Sequence, residues 1–365
     1  MMLETLEKLI SFKTVSKNHA ENKKAMEWVK DELKDLPLHF QDINEGGFPA
    51  LVATTQKTKK PKVWLQAHMD VVEGSDRVWN TRREDGRLYG RGAYDMKFAI
   101  ACYMEVLKSI GKKLKDLDLA LVLTSDEEVG GEHGTKAILD MGYGGEVSIL
   151  PDGGYDWKIE EAAKGSLMLY VKSRGVASHG ARPWDGNNAL NNMMQFLSML
   201  QEEFPAEDEC CDDDDHHHNT MVVAKLVSGT ASNKVPHKAE AWLDIRYLPH
   251  IHADQIREVI EKHRSKFDRM FVEEIKDISS VEIDQDHHYI NSYRDSIDKH
   301  SDTPSSFCLS HGASDARFLA EHGIIPIVTA PRGGGHHSEY EWIDIEDLSR
   351  FYEVIRDFVE KEAKM

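Results

Sequence analysis

The stretch DLALVLTSDEEVGGEHGT, residues 118–135, runs from apolar residues into two adjacent glutamates and a glycine pair. Glu127 and Glu128 repel each other when both are ionised, so the pair requires a shared proton or a nearby cation. Alone, such a pair reads as a solvated acidic loop. Similar groups recur along the chain. The segment VWLQAHMD brings His68 and Asp70 to the end of an apolar run, where i and i+2 share a face of an extended strand. An imidazole beside a carboxylate is the arrangement that orients a metal-binding histidine. Asp95 follows Gly90 and Gly92 in RLYGRGAYDMK, Asp152 follows the apolar VSILP, and His336 and His337 follow three glycines. The plain role for Asp95 is the N-cap of the helix after it. Taken together, His68, Asp95, Glu127, Glu128, Asp152 and His337 suit two zinc-like cations sharing one bridging carboxylate. Two such ions activate a shared water for hydrolysis.

These groups need elements that bring them together. Apolar runs at 63–67, 119–123 and 147–150 read as buried strands, and amphipathic patterns at 20–35, after Asp95 and near 134–141 read as helices. The alternation predicts an α/β domain with a doubly wound, mainly parallel sheet, whose strand ends converge on one crevice. From about residue 166 the order changes to β-α-β-β-α-β, a ferredoxin-like pattern. The expected division is therefore a discontinuous domain of residues 1–165 and 285–365, with 166–284 inserted as a second domain. The first domain resumes with helices near 287–299 and 313–322, a strand at 324–329 and a final helix at 345–362.

A formal charge of −19 opposes nucleic-acid or anionic-membrane binding. No apolar run approaches the ~20 residues of a membrane helix. The start of the chain reads as an amphipathic helix, not a signal peptide. Four cysteines, two of them adjacent, make no disulfide framework and point to a reducing, cytoplasmic setting. Cys102 and Cys308 read as small buried residues. The segment AEDECCDDDDHHHNT, 206–220, offers thiols, carboxylates and imidazoles, but its repeated like charges read as a low-complexity loop ahead of a metal buffer.

The chain resembles the co-catalytic di-zinc metallopeptidase family of acetylornithine deacetylase, succinyl-diaminopimelate desuccinylase and glutamate carboxypeptidase. The resemblance rests on AHMD at 67–70, GRGAYDMK at 90–97, SDEEVGG at 125–131, PDGG at 151–154, GVASHGARPWDGNNA at 175–189, NKVPHKAEAWLDIRY at 233–247, HGASDARF at 311–318 and GGHHSEYEWI at 334–343. It implies one ion held by His68 and Asp152 and another by Glu128 and His337, with Asp95 bridging. Asp70 orients His68, and Glu127 is the general base. His337 is favoured over His336 because it stands four residues before Glu341. The inserted domain becomes a lid and dimerisation domain. In it, His179 reaches a neighbouring subunit's site and steadies the oxyanion, while Asn233 and Arg246 bind the substrate's carboxylate. Gly312 belongs to a substrate loop. Without the resemblance, His179 reads as a turn residue, Arg246 as a surface salt bridge and Gly312 as a helix-entry turn.

Two divalent ions are thus implied, with zinc expected and cobalt or manganese as alternatives. The implied substrate is a small peptide or an N-acyl amino acid, and the implied assembly a homodimer. VWNTRREDGR lacks the family's Pro-Phe pair before Gly-Arg-Gly, which weakens the transfer of any one member's substrate. In the family, an aspartate at position 152 is commoner among di- and tripeptidases, and the reading leans to peptides over deacylation. A catalytically silent peptide- or metal-binding relative is the remaining alternative.

Overall fold

The computed structural model describes residues 2–204 and 217–365. Most of the acidic, histidine-rich segment, including Cys210 and Cys211, lies outside the described residues. The chain forms two compact units, one of residues 1–161, 283–308 and 314–365, the other of residues 162–282 and 309–313.

The first unit is built on a six-stranded mixed sheet. Its strand order is His39–Glu45, Phe48–Thr54, Leu119–Thr124, Val63–His68, Val147–Ile149, Ile325–Ile327. The last four run parallel, and the first two form an antiparallel hairpin against them. Both central strands, VWLQAH and LALVLT, are buried at every residue, as expected for strands covered on both faces. Helix Lys97–Ile110 is buried around most of its circumference, which explains why its sequence is apolar on nearly every side. Helix Ile345–Glu362 opens with Asp344, whose carboxylate accepts from the Glu346 and Asp347 amides.

A second sheet in this unit pairs Gly333–Gly334, Trp342–Asp344, Arg87–Tyr89 and Arg82–Glu84, antiparallel throughout. The sequence pattern predicts a glycine loop at 333–335 and no strand in the other three segments. They are two or three residues long, one is Arg-Arg-Glu, and none is long enough to show a period of two. This sheet sets the histidine loop beside the Gly-Arg-Gly loop.

The other unit holds an antiparallel sheet in the order Thr220–Ser228, Lys238–Tyr247, Gly165–Arg174, Met270–Ile278. Helices Ala189–Glu203 and Ala253–Arg264 cover one face, and the connection order is β-α-β-β-α-β, the ferredoxin-like pattern. Its core includes Leu169, Val171, Phe196, Leu200, Ile245 and Ile260. Val222, Phe271 and Ile275 on the edge strands remain more than half exposed.

Two local expectations change. Helix Lys97–Ile110 starts too late for Asp95 to cap it: Met96 is the cap residue, with no side-chain cap. Cys102 is buried, whereas Cys308, on the short strand Ser306–Ser310, is half-buried. Among the described residues, no helix is long and apolar enough to cross a membrane.

Candidate metal centre

The two central strands create the floor of the centre. His68 is the last residue of its strand and pairs in register with Thr124. The ladder continues one step, Met69 N–H donating to Thr124 O at 2.7 Å. Asp70 and the Ser125–Glu128 turn therefore emerge side by side. The Asp70 carboxylate accepts from Ser16 Oγ at 2.7 Å and from the Glu127 and Glu128 amides at 3.3 Å each. It ties the acid loop to the histidine strand. The nearest partner of His68 Nδ1 is the Asp70 main-chain carbonyl, at 2.9 Å, with the carboxylate farther off at 3.6 Å. Either contact leaves Nε2 facing the acids.

Asp95 sits between the imidazoles. Its Oδ1 is 3.1 Å from His68 Nε2, and its Oδ2 is 3.0 Å from His337 Nε2. His68 Nε2 also lies 3.6 Å from Asp152 Oδ1, and His337 Nε2 lies 3.1 Å from Glu128 Oε2. Donor atoms of His68, Glu127 and Asp152 fall within 4.8 Å of one another, and so do those of Asp95, His336 and His337. The six strand-end residues thus come together, and His336 joins them, its Nε2 3.2 Å from Asp95 Oδ2.

The donors fit two cations. Glu128 Oε1 is a buried polar atom without a hydrogen bond, a costly state unless another group satisfies it, and His68 Nε2, between Asp95 and Asp152, has no well-aligned hydrogen bond. The charges agree with this. Burial opposes charge on His68, yet the Asp152, Asp70 and Asp95 carboxylates outweigh it and hold its pKa well above the ordinary value. Asp95 is likewise buried, but His337 and His68 hold it well below the usual carboxylate range. Glu127 goes the other way, pushed well above that range by burial and then by the charge of Asp152. Burial also raises Asp152, against the pull of His68. Hydrogen bonds to Asp95 and Glu128 push His337 up to about 10. The cluster holds more carboxylates than imidazoles, a charge balance suited to cations, and a metal would bind the imidazoles in their neutral form.

A second layer supports the histidine loop. Buried Glu341 accepts from the amides of Gly92, Tyr94 and Asp95 at 3.0, 2.8 and 3.0 Å, and from Arg91 Nη1 at 2.7 Å. Arg91 Nη2 donates to the His337 carbonyl at 3.1 Å. Gly92 has φ +83° and lies against Lys97, leaving no room for a side chain. The sequence marked Glu341 only through its spacing from His337, and it gave no signal for Ser16.

The residues expected of the lid lie in the second unit. His179 is exposed, and its Nδ1 accepts from the Ala181 amide. Asn233 is exposed, and its carbonyl accepts from the Gly180 amide at 2.7 Å. Arg246 makes a bidentate pair with Asp244, at 2.9 and 3.0 Å. Gly312 is exposed, with open space where a side chain would project.

Comparison with known proteins places this arrangement among the metallohydrolases. The family model "Peptidase family M20/M25/M40" matches residues 64–361. The chain belongs to this family, and the protein is a metallopeptidase or amidohydrolase of the di-metal type. Among curated proteins it is similar to succinyl-diaminopimelate desuccinylase of Rickettsia rickettsii, 28% identical over 392 residues, covering 98% of this chain and 99% of the relative. Among solved structures its fold resembles aminopeptidase PepT from Bacillus cereus, with TM-score 0.81, 19% identity, and 100% and 98% of the two chains covered. It also resembles human carnosine dipeptidase 1, with TM-score 0.72, 14% identity, and 99% and 95% covered.

Proposed function

We propose that the protein hydrolyses the amide bond of small peptides at a di-zinc centre, with N-acyl amino acids as the second candidate class. The observation that carries this reading is the placement of Asp95, which presents its two carboxylate oxygens to different imidazoles at 3.1 and 3.0 Å. In this reading His68 and Asp152 would hold one ion and Glu128 and His337 the other, with Asp95 as the carboxylate they would share. When bound, two divalent ions polarise the scissile carbonyl and lower the pKa of a shared water towards ~7. Glu127 accepts the proton that the attacking water loses and delivers it to the leaving nitrogen as the C–N bond breaks. The products are a carboxylate and an amine. Asp70 and Ser16 hold the Glu127–Glu128 turn so that the base faces the same point as His68.

The lid residues complete the proposal. His179 steadies the oxyanion of a neighbouring subunit's substrate. Asn233 and Arg246 bind the substrate's carboxylate, Arg246 exchanging Asp244 for a ligand of the same shape, and Gly312 lies in the substrate loop. The assembly in this reading is a homodimer formed through this unit.

Peptides are favoured by the aspartate at 152 and by the peptidases among the structural relatives. Deacylation is favoured by the full-length similarity to desuccinylases. A panel of di- and tripeptides against N-acetyl and N-succinyl amino acids, run with zinc, cobalt and manganese, separates the two. Turnover of peptides at tenfold or higher kcat/KM supports the first reading, and turnover of acyl amino acids alone overturns it. Glu127→Gln is expected to lower kcat by about 10²–10⁴-fold with both ions retained. Full activity in that variant refutes the assigned base.

A further inference from the structure

We propose that His336 is a fourth protein ligand on the Glu128 side of the centre, so that the two ions have unequal donor sets. The inference rests on the di-metal reading above and extends it. Nε2 of His336 and Nε2 of His337 lie 3.2 and 3.0 Å from the same oxygen, Asp95 Oδ2. Ligand bonds of ~2.0–2.1 Å at tetrahedral angles put neighbouring donors about 3.3 Å apart. Both separations are close to that edge length.

Neighbouring residues of an extended chain point to opposite sides. Here they do not, because His337 adopts φ +59°, in the left-handed region, and Gly335 before the pair has φ +72°. The loop approaches through Gly333, which lies so close against the Tyr94 ring that a side chain there would overlap it. The His336 ring is also buttressed. It packs edge-on to Tyr155 at 6.3 Å and against His337 at 4.2 Å, while Tyr155 rests on Tyr94 at 5.6 Å.

The consequence is chemical asymmetry. His68, Asp152 and Asp95 offer one nitrogen and two carboxylates. His336, His337, Glu128 and Asp95 offer two nitrogens and two carboxylates. Imidazole favours zinc and cobalt, whereas carboxylate sites accept harder ions such as manganese. The Glu128 side is therefore the tighter zinc or cobalt site and fills first, and the His68 side is the one that takes manganese.

The test uses full-length, metal-free protein titrated with cobalt(II), followed by its visible absorption and by competition with a chelator. The parent, His336→Ala and His336→Gln are compared. The parent should bind two ions, the first with the intense bands of a four-coordinate site. Both variants should still bind two, with the tighter site weakened about tenfold or more and its bands reduced. Unchanged affinity and spectrum in both variants overturn the proposal. So does weakened binding found only in variants whose metal-free melting has also dropped, since His336 is then merely structural. If the parent itself binds fewer than two ions, it is the di-metal reading that has failed.

Discussion

Two of the imidazoles that face Asp95, those of His68 and His337, differ sharply in how they are held. The His68 side chain is 1% exposed, and that of His337 is 47% exposed. His68 ends a strand whose six residues are all buried, so its position follows once the central sheet forms. Asp152 likewise follows the buried strand Val147–Ile149. His337 sits in an exposed glycine turn, held by a sheet of two- and three-residue strands and by the carboxylate of Glu341. One half of the centre is a consequence of folding the core. The other half is held by a few polar contacts and by whatever cation occupies it. Stability should therefore report on the first half, and metal affinity on both.

The strongest way to break this contrast is to remove the tie between the halves. Glu341→Ala strips acceptors from three amides and leaves the Arg91 guanidinium buried without its partner. Breaking a buried pair in this way costs about 3–5 kcal/mol. Urea unfolding of the metal-free variant measures it, and Glu341→Gln, which keeps an acceptor, should lose less. A cost below ~1 kcal/mol in Glu341→Ala would mean that the exposed half needs no such anchor.

His68→Ala comes next. Truncating this ring leaves Asp70, Asp95 and Asp152 facing one another in a buried space, and the metal-free protein should lose on the order of 2–3 kcal/mol. It should also lose one ion, with activity falling beyond detection in the substrate panel.

The difference between the halves also explains what was legible beforehand. The α/β fold and the ferredoxin-like insert were readable because their strands and helices are long, periodic and core-facing. The residues at the strand ends were readable for the same reason: His68, Glu127, Glu128 and Asp152 each follow an apolar run. Asp95 and the histidine pair announced themselves through glycines. The small sheet was not readable, since three-residue strands rich in arginine carry no period. Nor was the role of Asp70's main-chain carbonyl, because a carbonyl has no sequence signature. Ser16 and Asp315 were missed because single polar residues reveal their partners only when distant segments meet.

Asp315 gives a pH-dependent probe of the buried half. Thr135 Oγ1 donates to its Oδ2 at 2.6 Å, and Gln66, two residues before His68, donates to Thr135 at 2.7 Å. Burial, reinforced by the charge of Asp126 and opposed by the Thr135 hydrogen bond, pushes Asp315 up to about 7. An unfolded aspartate titrates near ~3.9. Between those values the folded state binds more protons than the unfolded one, so this contribution to stability falls as pH rises from ~4 to ~7 and is absent above. Asp315→Asn removes the titration. Relative to the parent, the metal-free variant should gain on the order of 2–3 kcal/mol between pH 5 and pH 8. A stability difference that stays flat with pH would remove Asp315 from the account of this half.

The smallest expected change in stability tests the other half. His337→Ala removes a ring that is nearly half exposed. The amides around Asp95 keep their bonds to Glu341, and Arg91 keeps the His337 carbonyl, which is main chain and survives the substitution. Relief of the left-handed φ is not available, because alanine tolerates +59° no better than histidine does. Removing the imidazolium also takes a cationic partner from buried Asp95 and Glu128, but the ring is nearly half exposed and the pair is screened by solvent. The metal-free variant should therefore lose on the order of 1 kcal/mol, less than His68→Ala, while the Glu128-side ion loses a ligand and binds far more weakly. Chemical unfolding with and without cobalt reads both quantities from one sample. Equal destabilisation by His337→Ala and His68→Ala in the absence of metal would show that the exposed turn is as much a part of the folded core as the strand end, and the distinction between the halves would fall.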